Sequence, residues 1–360
     1  MKIDLKPFDD RVEKKLLSRR EKGDLLIYNY TNSCVWENAW DKYTEMARGL
    51  IVHKDGTIIA RPFPKFYNLG QTGKTDTKNL PIYQPEITEK LDGSLGIIHK
   101  NENGYAVATR GAFDSEQAKW ATNWLNKQGV KEYKENITYL FEILYKMNRI
   151  VVDYKDREEL VLLGLVHNWT GKIYSYKEVK AEAERLGFSY PSFTTLNLEQ
   201  IQDLAENDKK GMSEEGFVLF YPKENLQVKV KYADYVRLHR LTFGISVKSI
   251  WENMMWGQKP KEIFIDAPDE VMKWVITWEK IFTDKADRVL IEVSKHYNLV
   301  KLMATRKEQA LYLQKEAKEY LSIIFSMLDG KDYKKAIYNM FRPTKDEASE
   351  SFKMVREEDV

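Results

Sequence analysis

Short runs of branched and aromatic residues alternate with turn residues over the first two thirds of the chain, from about residue 25 to residue 232. Runs such as LLIYNY and GLIVH are typical of β-strands, and the Lys-Asp-Gly tripeptide at 54–56 predicts a tight hairpin turn. Ser115 precedes a helical pattern that continues to Lys127. Strands joined by tight turns, with a few inserted helices, predict an α+β domain built on antiparallel sheets.

The spacing of hydrophobic residues changes to about 3.6 after Tyr232, which is the period of a helix. One apolar stripe consists of Val271, Trp274, Val275, Trp278, Ile281 and Phe282. Thr305 and Glu308 have the spacing of a capping box before a helix predicted to end by Gly330, with Leu311 on its apolar face. The sequence thus predicts a first domain at 1–240, an all-helical C-terminal domain at 241–345 and a flexible polar tail at 346–360.

The composition excludes several classes of protein. Hydrophobic residues make up 43% and charged residues 31% of the chain, which is typical of a globular protein. The 57 basic residues nearly balance the 55 acidic ones, so a surface for nucleic acid would have to be local. The single cysteine, Cys34, excludes a disulfide framework and a zinc ribbon and favours a cytoplasmic location. No apolar run has the length of a signal peptide or a membrane span, so no membrane association is expected.

The segment 68–75, NLGQTGKT, has part of the pattern of a phosphate-binding P-loop. However, Asn68 occupies the position of the first glycine, and no apolar helical pattern follows Thr75. The sequence therefore predicts a connecting loop here.

The segment 89–94, EKLDGS, places Lys90 at the end of a predicted strand and directly before a tight turn. Asp-Gly is common in hairpin turns, so the K-x-D-G pattern by itself indicates only a hairpin. Its significance depends on the segments that accompany it.

Together these segments resemble the covalent nucleotidyltransferase superfamily, and most closely the phage-type RNA ligase 1 family of tRNA-repair enzymes. In chain order the matching pieces are YNY at 28–30, ARGL around Arg48, PKF around Lys65, KLDGS at Lys90, TRG around Arg110, FE at Glu142 followed by NRIV, EEGF at Glu215, VKVK at Lys229 and Lys231, and YVRLHR from Tyr235. Nine pieces in the family's order are improbable by coincidence.

The chemistry of this family explains the residue types. Lys90 is the proposed nucleophile, which must be deprotonated to attack the α-phosphorus of ATP. Lys229 and Lys231 alternate with valines on a predicted strand, so both amines face one side and can stabilise phosphate charge. We expect these neighbouring cations, together with a bound metal, to favour the neutral form of Lys90.

The resemblance implies further roles for individual residues. Arg48 and Lys65 match residues that hold the ATP phosphates, and Tyr28 matches an ATP-contacting tyrosine. Glu142 matches the carboxylate that accepts from the ribose hydroxyl, and Glu215 matches the acidic residue of the metal and phosphate region. The remaining predicted ATP-binding positions are Asp92, which is expected to hold the turn, Arg110, which stands where the family has a lysine, and Tyr235.

The reaction implied has three steps. Lys90 takes AMP from ATP, passes it to an RNA 5′-phosphate, and a 3′-hydroxyl then displaces AMP. The expected cofactors are ATP and Mg²⁺, with Mn²⁺ as an alternative ion, and the candidate metal ligand is Asp269, for which Asp266 or Glu270 would serve equally. The expected partner is single-stranded RNA or a cleaved tRNA anticodon loop, in the host cytoplasm if the chain is encoded by a bacteriophage, and no obligate protein partner is evident.

Two other functions remain open at this point. A DNA ligase or guanylyltransferase of the same superfamily would usually carry a small β-barrel after the VKVK strand, whereas this chain becomes helical there. A non-catalytic RNA-binding module would not need the intact set of Lys90, Glu142, Glu215, Lys229 and Lys231.

Overall fold

A computed structural model describes residues 2–102, 104–129, 131–208, 210, 213–264, 269–344 and 347. Within this part the chain divides into two compact units, residues 1–237 and 238–353. The predicted tail at 346–360 lies outside the described residues except for residue 347.

The first unit contains the strands. They are β1 (Leu17–Lys22), β2 (Leu25–Tyr30), β3 (Arg48–His53), β4 (Ile58–Ala60), β5 (Tyr67–Asn68), β6 (Glu86–Lys90), β7 (Ser94–Asn101), β8 (Gly104–Ala108), β9 (Ile137–Leu144), β10 (Glu159–His167), β11 (Phe193–Thr194), β12 (Gly216–Tyr221) and β13 (Leu226–Lys231).

The helices are spread over both units. They are α1 (Lys6–Glu13), α2 (Asn32–Trp36), α3 (Lys42–Met46), α4 (Glu116–Lys127), α5 (Tyr176–Leu186), α6 (Leu198–Asn207), α7 (Ala233–Gly244), α8 (Val247–Met255), α9 (Pro260–Ile263), α10 (Asp269–Val300), α11 (Arg306–Glu316), α12 (Leu321–Leu328) and α13 (Lys334–Asn339).

Three sheets form the first unit, in the orders β1-β2-β3-β4, β10-β9-β7-β8 and β11-β6-β12-β13-β5. Their paired strands are antiparallel, apart from the two-residue parallel pairing of β13 with β5. One hydrophobic cluster joins the three sheets, because it contains Ile51 of β3, Leu140 of β9 and Phe220 of β12. The prediction of an α+β fold with antiparallel sheets is confirmed.

Local signals define several elements as the sequence predicts. Gly56 takes a positive φ of 88° and donates its N–H to His53, which closes the hairpin between β3 and β4. The hydroxyl of Ser115 accepts from the N–H of Ala118 and so caps α4. In the segment 68–75, Asn68 ends β5 and the remaining residues contain only a short 3₁₀ turn, Gly73–Thr75, so the prediction of a connecting loop is confirmed.

The regular elements described in the second unit after α7 are helices, as predicted, but one predicted helix is divided. Thr305 and Glu308 form the predicted capping box of α11. The helix then stops at Ala317, which has φ −151° and ψ 42°, and α12 follows after a 3₁₀ turn. The predicted single helix to Gly330 is therefore wrong, and Leu311 is 59% exposed. The break lets Ile323 and Ile324 enter the core that also contains Leu313.

Candidate active site

Strand register gathers the predicted site residues on one face of the third sheet. Lys90 on β6 pairs with Gly216 on β12, which pairs in turn with Lys231 on β13. Two residues further along each strand, Thr88, Val218 and Lys229 form the next row with the same orientation. Because alternate residues of a strand share a face, the side chains of both rows lie on one face of the sheet, where Lys90, Thr88 and Val218 line a cleft.

The carboxylate of Glu215 bridges two of the lysines. Its Oε2 accepts from Lys90 Nζ at 2.7 Å, and its Oε1 is 2.9 Å from Lys231 Nζ. The side chain of Glu215 is only 3% exposed, whereas those of the two lysines are 20% and 22% exposed. The carboxylate is thus the buried centre of the arrangement, and both amines lie nearer to solvent.

The charge state of Lys90 differs from the expectation. Burial by itself would lower the pKa of Lys90, but the carboxylates of Glu215 and Glu142 outweigh this effect and raise it. In the chain without a metal the carboxylates thus outweigh the neighbouring cations, and the expectation that these cations together with a bound metal favour neutral Lys90 stays a prediction. Lys90 is held here as an ammonium ion, and attack on phosphorus requires that it lose a proton.

On this face of the sheet, Lys229 is the lysine whose surroundings disfavour the protonated form of its amine. Burial, followed by the charges of Lys231 and Lys90, lowers the pKa of Lys229 well below its usual value. Its Nζ lies 5.5 Å from the ring centroid of Phe66, and within the described part of the chain it forms no ion pair. A bound anion would relieve this repulsion.

Glu142 lies on β9, on the other side of the K-x-D-G turn. Its Oε1 accepts from the backbone N–H of Gly93 at 2.8 Å, and burial raises the pKa of Glu142 to about 8 despite the opposing charge of Lys90. A Cβ on Gly93 would lie 2.6 Å from the carbonyl oxygen of Ile143. Glycine therefore allows the turn to approach β9 closely enough for this bond.

Asp92 anchors the turn. Its Oδ2 accepts from the N–H groups of Val151 and Val152 at 2.8 Å each, and its Oδ1 accepts from the hydroxyl of Tyr235 at 2.6 Å. Asp92 and Tyr235 are each 2% exposed, so both side chains are committed to protein contacts. In this way the two residues hold the segment that carries Lys90, and their predicted ATP contacts stay a prediction.

Three further cations lie around Tyr30. Arg110 donates from Nη1 to the Tyr30 hydroxyl at 3.0 Å, and Lys65 Nζ is 5.2 Å from the centroid of the Tyr30 ring. Nη1 of Arg48 is buried with no hydrogen-bond partner among the described residues. Burial would raise the pKa of Tyr30, but the charges of Arg110, Arg48 and Lys65 outweigh it and lower the pKa. An orphaned buried guanidinium nitrogen beside other cations is what an anion-binding site requires.

Tyr28, for which the resemblance predicts an ATP contact, does not reach this cluster. The side chain is fully buried, packs against Phe8 and donates its hydroxyl to Asp9 at 2.8 Å. Tyr30, two residues later in the same YNY piece, contacts the cations instead. The sequence contained this residue, but nothing in it distinguished the two tyrosines, and Trp40 beside Lys65 was not predicted at all.

An apolar pocket continues from Lys90 between the third sheet and the second. Lys90, Arg48 and Glu142 border it at one end. Its further lining includes Phe66, Thr88, Leu163, Tyr174, Val218 and Phe220. A mostly apolar pocket that ends at charged groups suits a ligand with a flat apolar part and an anionic part.

The described carboxylates could supply only one or two ligands to a metal ion. No group of three or more His, Cys, Asp or Glu side chains suited to a metal occurs among the described residues. Asp269 is the first residue of α10, but its side chain, like Asp266 and the side chain of Glu270, lies outside the described part. Mg²⁺ is commonly held by one or two carboxylates together with substrate phosphates. Glu142 and Glu215 could serve such an ion once phosphates are bound.

The chain was compared with known proteins. Residues 46–236, which are 191 of the 360, match a family model described as RNA ligase. A protein of Thermovibrio ammonificans that is provisionally named an RNA ligase is 26% identical over 290 residues, covering 75% of each chain. A baculovirus protein of Autographa californica nuclear polyhedrosis virus, provisionally named a bifunctional polynucleotide kinase/RNA ligase, is 28% identical over 60% of this chain and 34% of its own length.

The solved structures are more distant. An RNA ligase of Naegleria gruberi, in a mutant form with ATP and Mn, has a TM-score of 0.36 and 15% sequence identity. The match covers 44% of this chain and 51% of that one, so the chain spans about half of its length. Separately, the described residues include no helix that combines the length and the apolar character needed to cross a membrane.

Proposed function

The chain belongs to the RNA ligase family, and on that basis we propose that it uses ATP to join RNA ends through an adenylate on Lys90. The observation that carries this proposal is the position of Lys90 Nζ, 2.7 Å from the buried carboxylate of Glu215 and at the end of an apolar pocket that Arg48 also borders. Amines in such sites act as nucleophiles when a neighbouring group accepts their proton.

In the first step the Nζ of Lys90 bonds to the α-phosphorus of ATP, and the bond from that phosphorus to the bridging oxygen breaks, releasing pyrophosphate. Among the described residues, Glu215 is positioned to take the proton from Lys90, because its Oε2 lies 2.7 Å from Lys90 Nζ. The cations Lys229, Lys231 and Arg48 stabilise the negative charge that develops on the phosphoryl oxygens. A divalent ion, Mg²⁺ or Mn²⁺, would add positive charge at the phosphates when bound.

In the later steps the adenylate moves to RNA. A 5′-phosphate oxygen attacks the same phosphorus, the P–N bond breaks, and Lys90 regains its amine. A 3′-hydroxyl oxygen then attacks the 5′-phosphate, and AMP departs as the new phosphodiester forms. The apolar pocket beside Lys90 would hold the adenine, and Glu142 would accept from the ribose. The proposed substrate is single-stranded RNA, a class that includes cleaved tRNA loops.

The covalent step can be tested with ATP labelled at the α-phosphate or at the γ-phosphate, in the presence of Mg²⁺. Label should remain on the denatured protein only from the α-position, and Lys90→Ala should abolish it. Lys100→Ala is the matched control, because Lys100 is an exposed lysine on β7, the next strand along the chain, and its loss should have no effect. Label persisting in Lys90→Ala would show that another residue is the nucleophile.

The adenylated protein should then circularise or join single-stranded RNA that carries a 5′-phosphate. Efficient sealing of nicked duplex DNA with poor joining of RNA would instead support the DNA ligase alternative. Labelling from GTP alone would support the guanylyltransferase.

A further inference from the structure

Lys65 lies among three aromatic rings. Its Nζ is 4.9 Å from the ring centroid of Trp40, 5.2 Å from that of Tyr30 and 5.6 Å from that of Tyr67. No described carboxylate forms an ion pair with it. Aromatic faces attract a cation through their quadrupole but, unlike a carboxylate, do not neutralise its charge. The rings therefore fix the ammonium group and leave its charge available to an anion.

The three rings form a rigid cage. Trp40 meets Tyr30 edge to face at 5.0 Å and 80°, and it meets Tyr67 in the same way at 6.0 Å and 87°. The hydroxyl of Tyr67 donates to Glu45, so this ring is also held in place. The backbone N–H of Lys65 donates to the carbonyl of the same Glu45 at 2.7 Å.

Trp40 is fixed by the chain on both of its sides. Before it, the carbonyl of Ala39 accepts from the hydroxyl of Thr44 and from the thiol of Cys34. After it, Asp41 accepts from the N–H groups of Tyr43 and Thr44 as the cap of α3. The indole is thus held at Lys65 before any ligand arrives.

The surroundings of the cage are strongly positive. Arg110 lies over the ring of Tyr30, with its guanidinium carbon 5.0 Å from the ring centroid. Burial, together with the charges of Arg48 and Arg110, lowers the pKa of Lys65. Holding several cations this close opposes folding unless something offsets their repulsion. The aromatic rings offset part of it in the free chain, and an oligophosphate would offset the rest.

We propose that Trp40 is a positioning residue for the nucleotide, which holds Lys65 through its indole face so that the ammonium group meets the phosphates without being neutralised. The identity of the anion as ATP rests on the proposed function. The cage itself requires only that the ligand be an oligophosphate.

The test compares Trp40→Leu, Trp40→Phe and Trp36→Leu in the full chain. Trp36 is the matched control, since it lies four residues earlier and is 80% exposed. The rate of labelling from α-labelled ATP is measured over a range of ATP concentrations. Trp40→Leu should raise the half-saturating concentration roughly 3- to 30-fold, the range expected for loss of one cation–π contact, with a smaller change in the maximal rate. Trp40→Phe should restore much of the loss, and Trp36→Leu should match the wild type.

A purely structural role would give a different pattern. It would lower the melting temperature and the amount of active protein, and so the maximal rate, without changing the half-saturating concentration. That result, or a Trp40→Phe variant as impaired in ATP binding as Trp40→Leu, would overturn the proposal.

Binding of inorganic tripolyphosphate, measured by calorimetry, tests the role of Trp40 independently of the proposed covalent chemistry. If the wild type takes no label, the proposed covalent chemistry fails, but Trp40→Leu should still bind tripolyphosphate roughly 3- to 30-fold more weakly than the wild type. If tripolyphosphate binds equally to both proteins, or to neither, the role of Trp40 is wrong whatever the labelling shows.

Discussion

At the scale of single residues, Glu215 determines the charge balance of the cleft. It is 3% exposed and accepts from Lys90 and Lys231, so removing its charge would leave two close ammonium groups without a counterion. The chain contains a second buried carboxylate of the same kind. Glu182, also 3% exposed, binds Lys134 and Arg185 at 2.7 and 2.6 Å, away from the cleft. The two glutamates make a matched pair for mutation.

Glu215→Gln should lower the free energy of unfolding by about 3 kcal/mol, because it leaves two mostly buried ammonium groups without their main counterion. Glu182→Gln should lower it by only about 1 kcal/mol, because Lys134 and Arg185 are 56% and 43% exposed and solvent screens their charges. Only Glu215→Gln should also lower the pKa of Lys90, since burial then acts without its main opposing charge. The measurements are denaturant unfolding and the pH dependence of Lys90 modification by an amine reagent. Unchanged Lys90 reactivity in Glu215→Gln would contradict the assigned ion pair.

Glu142 should make the stability of the ligand-free chain depend on pH. Its pKa is about 8 when folded, against a usual value of 4.5. Between these values the folded chain binds a proton that the unfolded chain lacks, so this residue's contribution to stability is present below about pH 4.5 and is lost as the pH rises to about 8. Glu142→Gln should become progressively more stable relative to the wild type over this range. Melting curves at several pH values test this, and a constant difference would show that Glu142 is ionised throughout.

At the scale of elements, the cleft depends on close approach between strands. Gly216 stands between Lys90 and Lys231 in the strand register, with φ 148°, and a Cβ there would lie 2.1 Å from the carbonyl of Val230. Neighbouring strands are about 4.8 Å apart, so the backbones of Lys90 and Lys231 are about 10 Å apart. Because the residue between them is glycine, no side chain separates the two lysine side chains. Glu215, the next residue, can then reach both amines.

The turn after β6 depends on glycine in the same way. Gly93→Ala would bring a Cβ to within 2.6 Å of the Ile143 carbonyl, so the turn would have to move away from β9 and lose its bond to Glu142. We expect a loss of about 1–3 kcal/mol in unfolding free energy and a large loss of labelling at Lys90. Gly73→Ala is the control, because a Cβ at Gly73 meets nothing within 4 Å. Equal stability and equal labelling of the two variants would show that the steric explanation is wrong.

At the scale of the whole molecule, the described residues of the cleft all belong to the first unit. They extend from Arg48 to Tyr235, and this unit ends at Arg237. The second unit has its own core, which includes Val293, Leu313 and Ile324. The described residues proposed for the first step therefore all lie outside the helical unit.

A chain ending after Gly244, the last residue of α7, should still take label from ATP at Lys90, within about tenfold of the full rate, because no described cleft residue is lost. Circular dichroism should establish that the shortened chain is folded. A folded chain that takes no label would mean that the helical unit supplies part of the adenylation site, and Asp269 would then be the first residue to examine.

The sequence by itself determined the features that depend on neighbours in the chain. Period two or 3.6, capping residues and turn tripeptides act over a few positions, so the α+β class, the helix α4 and the hairpin at Gly56 could all be predicted. The face shared by Lys229 and Lys231 followed from strand alternation, and the turn at Lys90 from its Asp-Gly pair. The division of the helix at Ala317 could not be predicted, because the burial of Ile323 and Ile324 outweighs local propensity.

Only the tertiary structure decided which distant side chains meet. Lys90 and Glu215 are 125 positions apart, and their contact, which raises the pKa of Lys90, depends on the order of strands in the sheet. The choice of Tyr30 over Tyr28 and the place of Trp40 beside Lys65 likewise arise from packing between elements. Charges and rings act through space over a few ångströms, whereas sequence patterns report only the distance along the chain.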